Sequence, residues 1–205
     1  MSEHPPEAPS PSPQMIFMTM GILVEGGMIV LAVLIGLLME TPPLKMFGGG
    51  AMDVLISFGL LIPMLIFFYV SWKYDFKVFE SIRVVIRKHL LPMIKTCSVS
   101  QLAIISLLAG LGEEMLFRGV IQAGLMNWLP FWAALLLASL AFGIAHSISK
   151  AYFVVATGIG LYLGLAFEMS GQNLTIPVLC HAIYDFLALV WLQYTEPVPD
   201  DLTPE

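Results

Sequence analysis

Apolar residues along this chain are grouped into long runs, and short polar segments separate the runs. A transmembrane helix needs about 20 mostly apolar residues, and several of the runs approach or exceed that length. Six runs are predicted to span a membrane: residues 15–39, 53–70, 99–124, 131–146, 151–168 and 174–194. The pattern therefore predicts an all-α, polytopic transmembrane helix bundle.

Residues 72–95 follow a different pattern, in which apolar residues recur at helical spacing among polar ones. This pattern predicts an amphipathic helix that lies on the membrane surface. By the positive-inside rule its basic residues place it in the cytoplasm, so both termini of a six-span chain are expected there too, in a cytoplasmic membrane of the bacterial type. Six of the nine Lys and Arg residues lie in this segment: Lys73, Lys77, Arg83, Arg87, Lys88 and Lys95.

The ends of the chain differ in composition from its middle. Residues 1–13 are rich in Pro, Ser and Glu, which predicts a disordered tail. Residues 14–96 hold two spans and the amphipathic helix, and residues 97–195 hold the other four spans. Residues 196–205 form a C-terminal tail.

Composition narrows the class of protein further. The chain is 58% hydrophobic and 12% charged, about half the charged fraction usual for soluble domains. The lipid bilayer is therefore the expected surrounding. A formal net charge of -6 argues against a nucleic-acid partner.

Three ionisable residues interrupt the third predicted span. Ionisable groups at that depth are costly unless they are paired, so they indicate a functional site by default. Glu114 and Arg118 are four residues apart on one helix face and are expected to form an ion pair. Glu113 lies about 100° around the helix from Glu114 and is left free for chemistry. The alternative interpretation is an ion pair that only holds the bundle together. Glu25 in the first span is a further acidic residue, which either lines a water-filled cavity or is protonated in lipid. The plainer interpretation is a residue that faces the bundle interior and has no catalytic role.

Two later spans carry pairs of residues at the same spacing. Phe142 and His146 end the fourth span, and His181 and Asp185 lie within the last one. Each imidazole needs hydrogen-bond partners in an apolar interior. The arrangement that provides them brings both histidines and the glutamates together around water.

Taken in order, Glu113-Glu114-x-x-x-Arg118, Phe142-x-x-x-His146 and His181-x-x-x-Asp185 resemble the signature of the CPBP intramembrane proteases. This family, also called Abi, includes the type II CAAX prenyl endopeptidases. The resemblance covers residues 99–194, with the order and spacing of the motifs intact. It implies an endopeptidase whose substrate is a peptide or protein, either membrane-associated or lipidated.

The resemblance also implies roles for individual residues. Glu113 matches the general base that activates a water, with help from His146. His181 and Asp185 match positions that stabilise the oxyanion of the tetrahedral intermediate. Glu114, Arg118 and Phe142 match positions that support the site.

One residue departs from the pattern, because the CAAX-processing enzymes typically have Asn where this chain has Asp185. An amide donates a hydrogen bond to an oxyanion, whereas an ionised carboxylate repels it. Asp185 is therefore expected to be protonated, to orient His181 and hold it as an imidazolium ion, or to serve as something other than a donor.

Three alternatives to a metal-free protease stay open at this stage. His146, His181 and a carboxylate would make a catalytic Zn²⁺ ligand set, and the family was long regarded as metalloproteases. No cofactor is the favoured expectation, because the histidines lie on different helices and no H-E-x-x-H motif is present. The other two are a membrane immunity or scaffold protein of the same fold that does not cut its ligand, and a proton-coupled transporter.

Overall fold

The computed structural model of the chain describes residues 11–197. Within this range the protein is all-helical, as predicted, and the disordered tail expected at residues 1–13 lies almost entirely outside it. Five helices are regular: α1 (Pro13–Leu38), α2 (Ala51–Lys73), α5 (Phe131–Ala145), α6 (Lys150–Met169) and α7 (Thr175–Thr195). A 3-10 turn, Pro43–Lys45, lies between α1 and α2.

Two further helices contain a π-helical section. Helix α3 runs through Lys77–Val85, a π-helical Ile86–Leu90 and Leu91–Ile94. Helix α4 runs through Val99–Glu114, a π-helical Met115–Gln122 and Ala123–Met126. The backbone stays in the right-handed helical region at each junction, so each is one continuous helix.

Serine side chains cap the start of three helices. At α4, Gln101 N donates to Ser98 Oγ (3.3 Å) and Ser98 N donates to Gln101 Oε1 (2.8 Å), a reciprocal capping box. Ser12 caps α1 and Ser149 caps α6 in the simpler one-bond form. These caps explain why the helices begin within a few residues of the predicted apolar runs.

Four helices are long and apolar enough to cross a membrane: α1, α2, α6 and α7. Helix α5 is apolar but has 15 residues, and the three sections of α4 together cover residues 99–126. A helical membrane bundle follows from this set. The number of passes and the side on which the termini lie stay predictions.

Contacts at and between the helix ends define the two ends of the bundle. At one end, Trp72 Nε1 donates to Glu196 Oε1 (2.6 Å), and Gln14 Nε2 donates to Gln101 Oε1 (2.8 Å). At the other end, Gly48 N donates to Asn173 Oδ1 (2.9 Å). The amphipathic segment therefore shares an end of the bundle with the start of α1, the start of α4 and the end of α7.

Helix α4 lies at the centre and packs against α1, α5 and α7. Two glycines allow this close packing. A Cβ on Gly110 would lie 2.8 Å from the Cβ of Ala182 in α7, and one on Gly112 would lie 2.6 Å from the carbonyl oxygen of Glu25 in α1. The central helix thus brings its neighbours within reach of its own polar side chains.

The amphipathic helix starts later than predicted and is fastened to the bundle. Helix α2 continues to Lys73, and α3 begins at Lys77 after a turn. Arg83, one of the six basic residues of the predicted amphipathic segment, is only 5% exposed. Its guanidinium donates to Asp75 Oδ1 (2.9 Å) and to the carbonyl of Ser71 (3.0 Å) near the end of α2. Arg83 therefore supplies donors that the last carbonyls of α2 would otherwise lack.

Candidate active site

Helices α4, α5 and α7 bring all the predicted site residues into one buried cluster. Glu113, Glu114 and Arg118 come from α4, and each is at most 5% exposed. His146 follows the last residue of α5. His181 comes from α7 and is also buried. The motifs that are far apart in sequence therefore meet inside the bundle.

Glu113 faces both histidines. Its Oε2 atom lies 3.5 Å from His146 Nε2 and 3.9 Å from His181 Nε2, longer than direct hydrogen bonds. The same atom is buried and has no hydrogen-bond partner within residues 11–197. A buried carboxylate oxygen in this position calls for a donor, and a water between Glu113 and the histidines would supply one.

Phe142 fixes the orientation of His146. The imidazole Nδ1 lies 2.9 Å from the carbonyl oxygen of Phe142, to which it donates. The His146 ring also stacks on the Phe142 ring, with 4.4 Å between centroids. With its proton on Nδ1, a neutral His146 presents a lone pair on Nε2 toward Glu113.

Glu114 is shared between two hydrogen-bond donors. Arg118 Nη1 donates to Glu114 Oε1 (2.9 Å), which is the ion pair that their spacing predicts. His181 Nδ1 donates to the same oxygen at 2.8 Å. The second contact joins residues 67 positions apart, so helical spacing gave no signal for it. Glu114 thereby orients His181 and points its Nε2 toward the cavity.

Asp185 lies on the opposite side of the His181 ring from Glu114. Its Oδ2 is 3.5 Å from His181 Nε2, and its side chain is 31% exposed. Glu114 therefore orients His181, which is a role that the sequence suggested for Asp185. Asp185 instead lines the cavity beside the nitrogen that would meet a substrate.

The backbone carbonyls of two glycines in α6 accept hydrogen bonds from polar side chains of α4. Arg118 Nη2 donates to the carbonyl of Gly160 (3.2 Å), and Gln122 Nε2 donates to the carbonyl of Gly164 (3.0 Å). A Cβ on Gly164 would lie 2.5 Å from Gln122 Oε1, so a larger residue would obstruct this contact. The small residues at this spacing therefore let Arg118 bond to the backbone of α6. The sequence did not predict this contact.

A cavity of about 250 Å³ opens beside the cluster. Glu113, His146, His181 and Asp185 line one side of it. The rest of the wall is mostly aromatic and aliphatic and includes the apolar side of α3. An apolar cavity with a few convergent polar groups is the usual form of a binding site.

The positions of these side chains bear on the zinc alternative. Within residues 11–197 no group of three or more His, Cys, Asp or Glu residues is arranged to hold a metal ion. His181 Nδ1 is already bonded to Glu114, and only its Nε2 faces Glu113. The expectation that no metal is needed stays a prediction.

Comparison with known proteins identifies the segment that carries the site. The family model described as "Type II CAAX prenyl endopeptidase Rce1-like" matches residues 95–187, which include every residue of the three motifs. This match confirms the family resemblance indicated by the motifs. The candidate site therefore lies wholly within the part of the chain that is similar to this family.

One curated relative extends the comparison. "Uncharacterized protein YpbD" of Bacillus subtilis (strain 168) is 38% identical over 89 residues. The alignment covers 43% of this chain and 43% of that relative, so the chain spans less than half of the relative's length. No solved structure matches the chain significantly.

Removal of Arg118 is expected to destabilise the protein as well as inactivate it. Arg118→Ala leaves Glu114 buried without its guanidinium partner, which costs on the order of 3–5 kcal/mol. We expect a large drop in thermal stability of the detergent-purified protein, measured by intrinsic fluorescence.

Arg87→Ala is the matched control. Arg87 also pairs with a glutamate, Glu196 at 3.0 Å, but its side chain is 43% exposed. Exposed pairs contribute about 0–1 kcal/mol, so this variant should stay close to wild type. An Arg118→Ala protein as stable as Arg87→Ala would contradict the structural role of the buried pair.

Proposed function

We propose that this protein is an intramembrane endopeptidase that hydrolyses a peptide bond with a water activated by Glu113 and His146. The observation that carries the proposal is the buried, unpartnered Oε2 of Glu113, which faces the Nε2 atoms of two histidines at the wall of a cavity. A base and electrophilic groups that converge on one point are what water attack on a carbonyl requires.

The first step follows from the position of Glu113. A water held between Glu113 Oε2 and His146 Nε2 gives a proton to the Glu113 carboxylate. Its oxygen then forms a bond to the carbonyl carbon of the substrate, and the carbonyl electron pair moves to oxygen. The neutral His146 accepts a hydrogen bond through Nε2, which directs the water.

His181 is suited to stabilise the oxyanion that forms. Its Nδ1–H is held by Glu114, so a proton on Nε2 makes it an imidazolium ion whose second N–H lies at the cavity, 3.5 Å from Asp185 Oδ2 and 3.9 Å from Glu113 Oε2. The carboxylate of Glu114 stabilises this cation, as an acidic partner does in catalytic triads. Glu113 then returns its proton to the leaving amine, and the C–N bond breaks.

The walls of the cavity favour an apolar peptide or protein substrate. A second apolar groove of about 560 Å³ adjoins the cavity between α2, α3 and α6, and both are lined by Phe67, Phe79, Val155, Ile159 and Tyr184. A continuous apolar path of this kind suits a membrane-embedded or lipidated chain. A prenylated protein with a CAAX-type C-terminus is the specific candidate, supported by the description of the matching family.

Replacement of the base gives the direct test of this proposal. Glu113→Gln keeps the size of the side chain but removes its ability to take a proton, so hydrolysis should fall about 10²- to 10⁴-fold. Cleavage of internally quenched apolar peptides, with and without a farnesylated cysteine, measures this in purified protein. Glu168→Gln in α6 is the matched control, since Glu168 contacts only Gln172 at 3.3 Å in its side-chain hydrogen bonding.

Other outcomes separate the alternatives. Full activity of Glu113→Gln would overturn the proposal. Activity that a chelator abolishes and Zn²⁺ restores would favour a zinc-dependent protease. Binding of the peptide by wild type without any cleavage would favour an immunity or scaffold protein.

Asp185→Asn separates the two roles considered for Asp185. Because Glu114 already orients His181, we expect Asp185 to act as a donor facing the cavity, and an amide keeps that ability. Asn should therefore support cleavage of the same peptides at a kcat close to that of wild type. A loss of activity across the neutral range would show instead that the Asp185 charge maintains His181 as imidazolium.

A further inference from the structure

Glu25 is a partly buried acidic residue that the three motifs leave unexplained. It lies in α1, outside the segment 95–187 that matches the protease family. Its Oε2 atom is buried and has no hydrogen-bond partner among the residues that the structure describes. An unpaired carboxylate oxygen in an apolar bundle is costly, so the residue calls for an explanation.

The inward face of α1 points Glu25 at the active site. Met28, Ala32 and Gly36 follow it at helical spacing; Ala32 and Gly36 are buried, and Met28 packs against the cluster that contains Phe142. The carbonyl of Glu25 touches α4 at Gly112, the residue before Glu113, where a Cβ would lie 2.6 Å from that oxygen. Helix α1 therefore crosses α4 next to the proposed base.

The charges of the site bear on the state of Glu25. Its carboxyl group interacts electrostatically with Glu113 most strongly among the charged groups, and more weakly with His181, Asp185 and His146. With His146 neutral and Asp185 protonated, as proposed above, the two cations Arg118 and His181 balance the two carboxylates Glu113 and Glu114. A third negative charge would have no partner, and two neighbouring carboxylates in an apolar site do not both ionise.

We propose that Glu25 is a positioning residue for Glu113, and that the two carboxyl groups share one proton and one bridging water where α1 crosses α4. This inference rests on the proposed role of Glu113 as the base. Each of the two residues has a buried oxygen without a partner, and a water between them would satisfy both.

The shared proton has a defined place during the reaction. In the resting site Glu25 carries it and donates through the water, so Glu113 stays ionised and is held with Oε2 toward the histidines. When Glu113 takes a proton from the attacking water, the pair becomes neutral. It returns to one negative charge when Glu113 gives that proton to the leaving amine.

Two substitutions of similar size distinguish positioning from packing. Glu25→Met fills the same space without a donor or acceptor, whereas Glu25→Gln retains both and resembles a protonated carboxyl group. In the peptide assay we expect Glu25→Met to lower kcat about 100-fold with KM unchanged, a loss typical of misplaced catalytic groups. Glu25→Gln should recover most of that activity. Gly26→Ala, where a Cβ would meet nothing within 4 Å, is the control for a change in α1.

If Glu25 has only a structural role, the Glu25→Met variant is expected to behave differently. An apolar residue in its place would remove the cost of a buried carboxyl group, so Glu25→Met would keep its kcat and gain thermal stability. That result would overturn the inference, and so would equal loss in Glu25→Met and Glu25→Gln. Glu113→Gln is assayed alongside and tests the proposed function separately. If Glu113→Gln is inactive and Glu25→Met is active, only the role of Glu25 is refuted.

Discussion

The need to pair every charge inside an apolar bundle governs the structure of this protein. Arg118 is 1% exposed and Glu114 is fully buried, so neither is tolerated without the other. Their ion pair also recruits His181 from α7 and a backbone carbonyl from α6. One buried carboxylate and one guanidinium thus join three helices and fix the imidazole that would meet the substrate.

This constraint explains how the site can be both stable and reactive. Glu114 accepts hydrogen bonds from Arg118 and His181 through its Oε1 atom, whereas the neighbouring Glu113 faces the two histidines at 3.5 and 3.9 Å. The two carboxylates are adjacent in sequence, but the helix turns them toward different surroundings. Glycines at the helix crossings allow this arrangement, because α1, α6 and α7 approach α4 closely enough to enclose the polar groups.

Much of this arrangement could be predicted from the sequence, because helical periodicity and hydropathy are local signals. The helices and the Glu114–Arg118 pair follow from spacing within single helices, and the set of residues that meet in the site follows from the cost of burying polar groups and from the resemblance of the three motifs. Contacts between helices leave no such local pattern in the sequence. The bond from His181 to Glu114, the burial of Arg83 and the carbonyls of Gly160 and Gly164 as acceptors depend on packing across the bundle, and the π-helical turns of α3 and α4 leave no mark in the apolar pattern.

The central claim is that this bundle cuts peptide bonds in a membrane through Glu113. The most direct measurement is proteomics of peptide termini in membrane fractions from cells that express equal amounts of the wild-type chain or its Glu113→Ala variant. The account predicts new termini, in membrane proteins or at lipidated C-termini, that occur with wild type and are absent with the variant. Identical sets of termini in both fractions would contradict it.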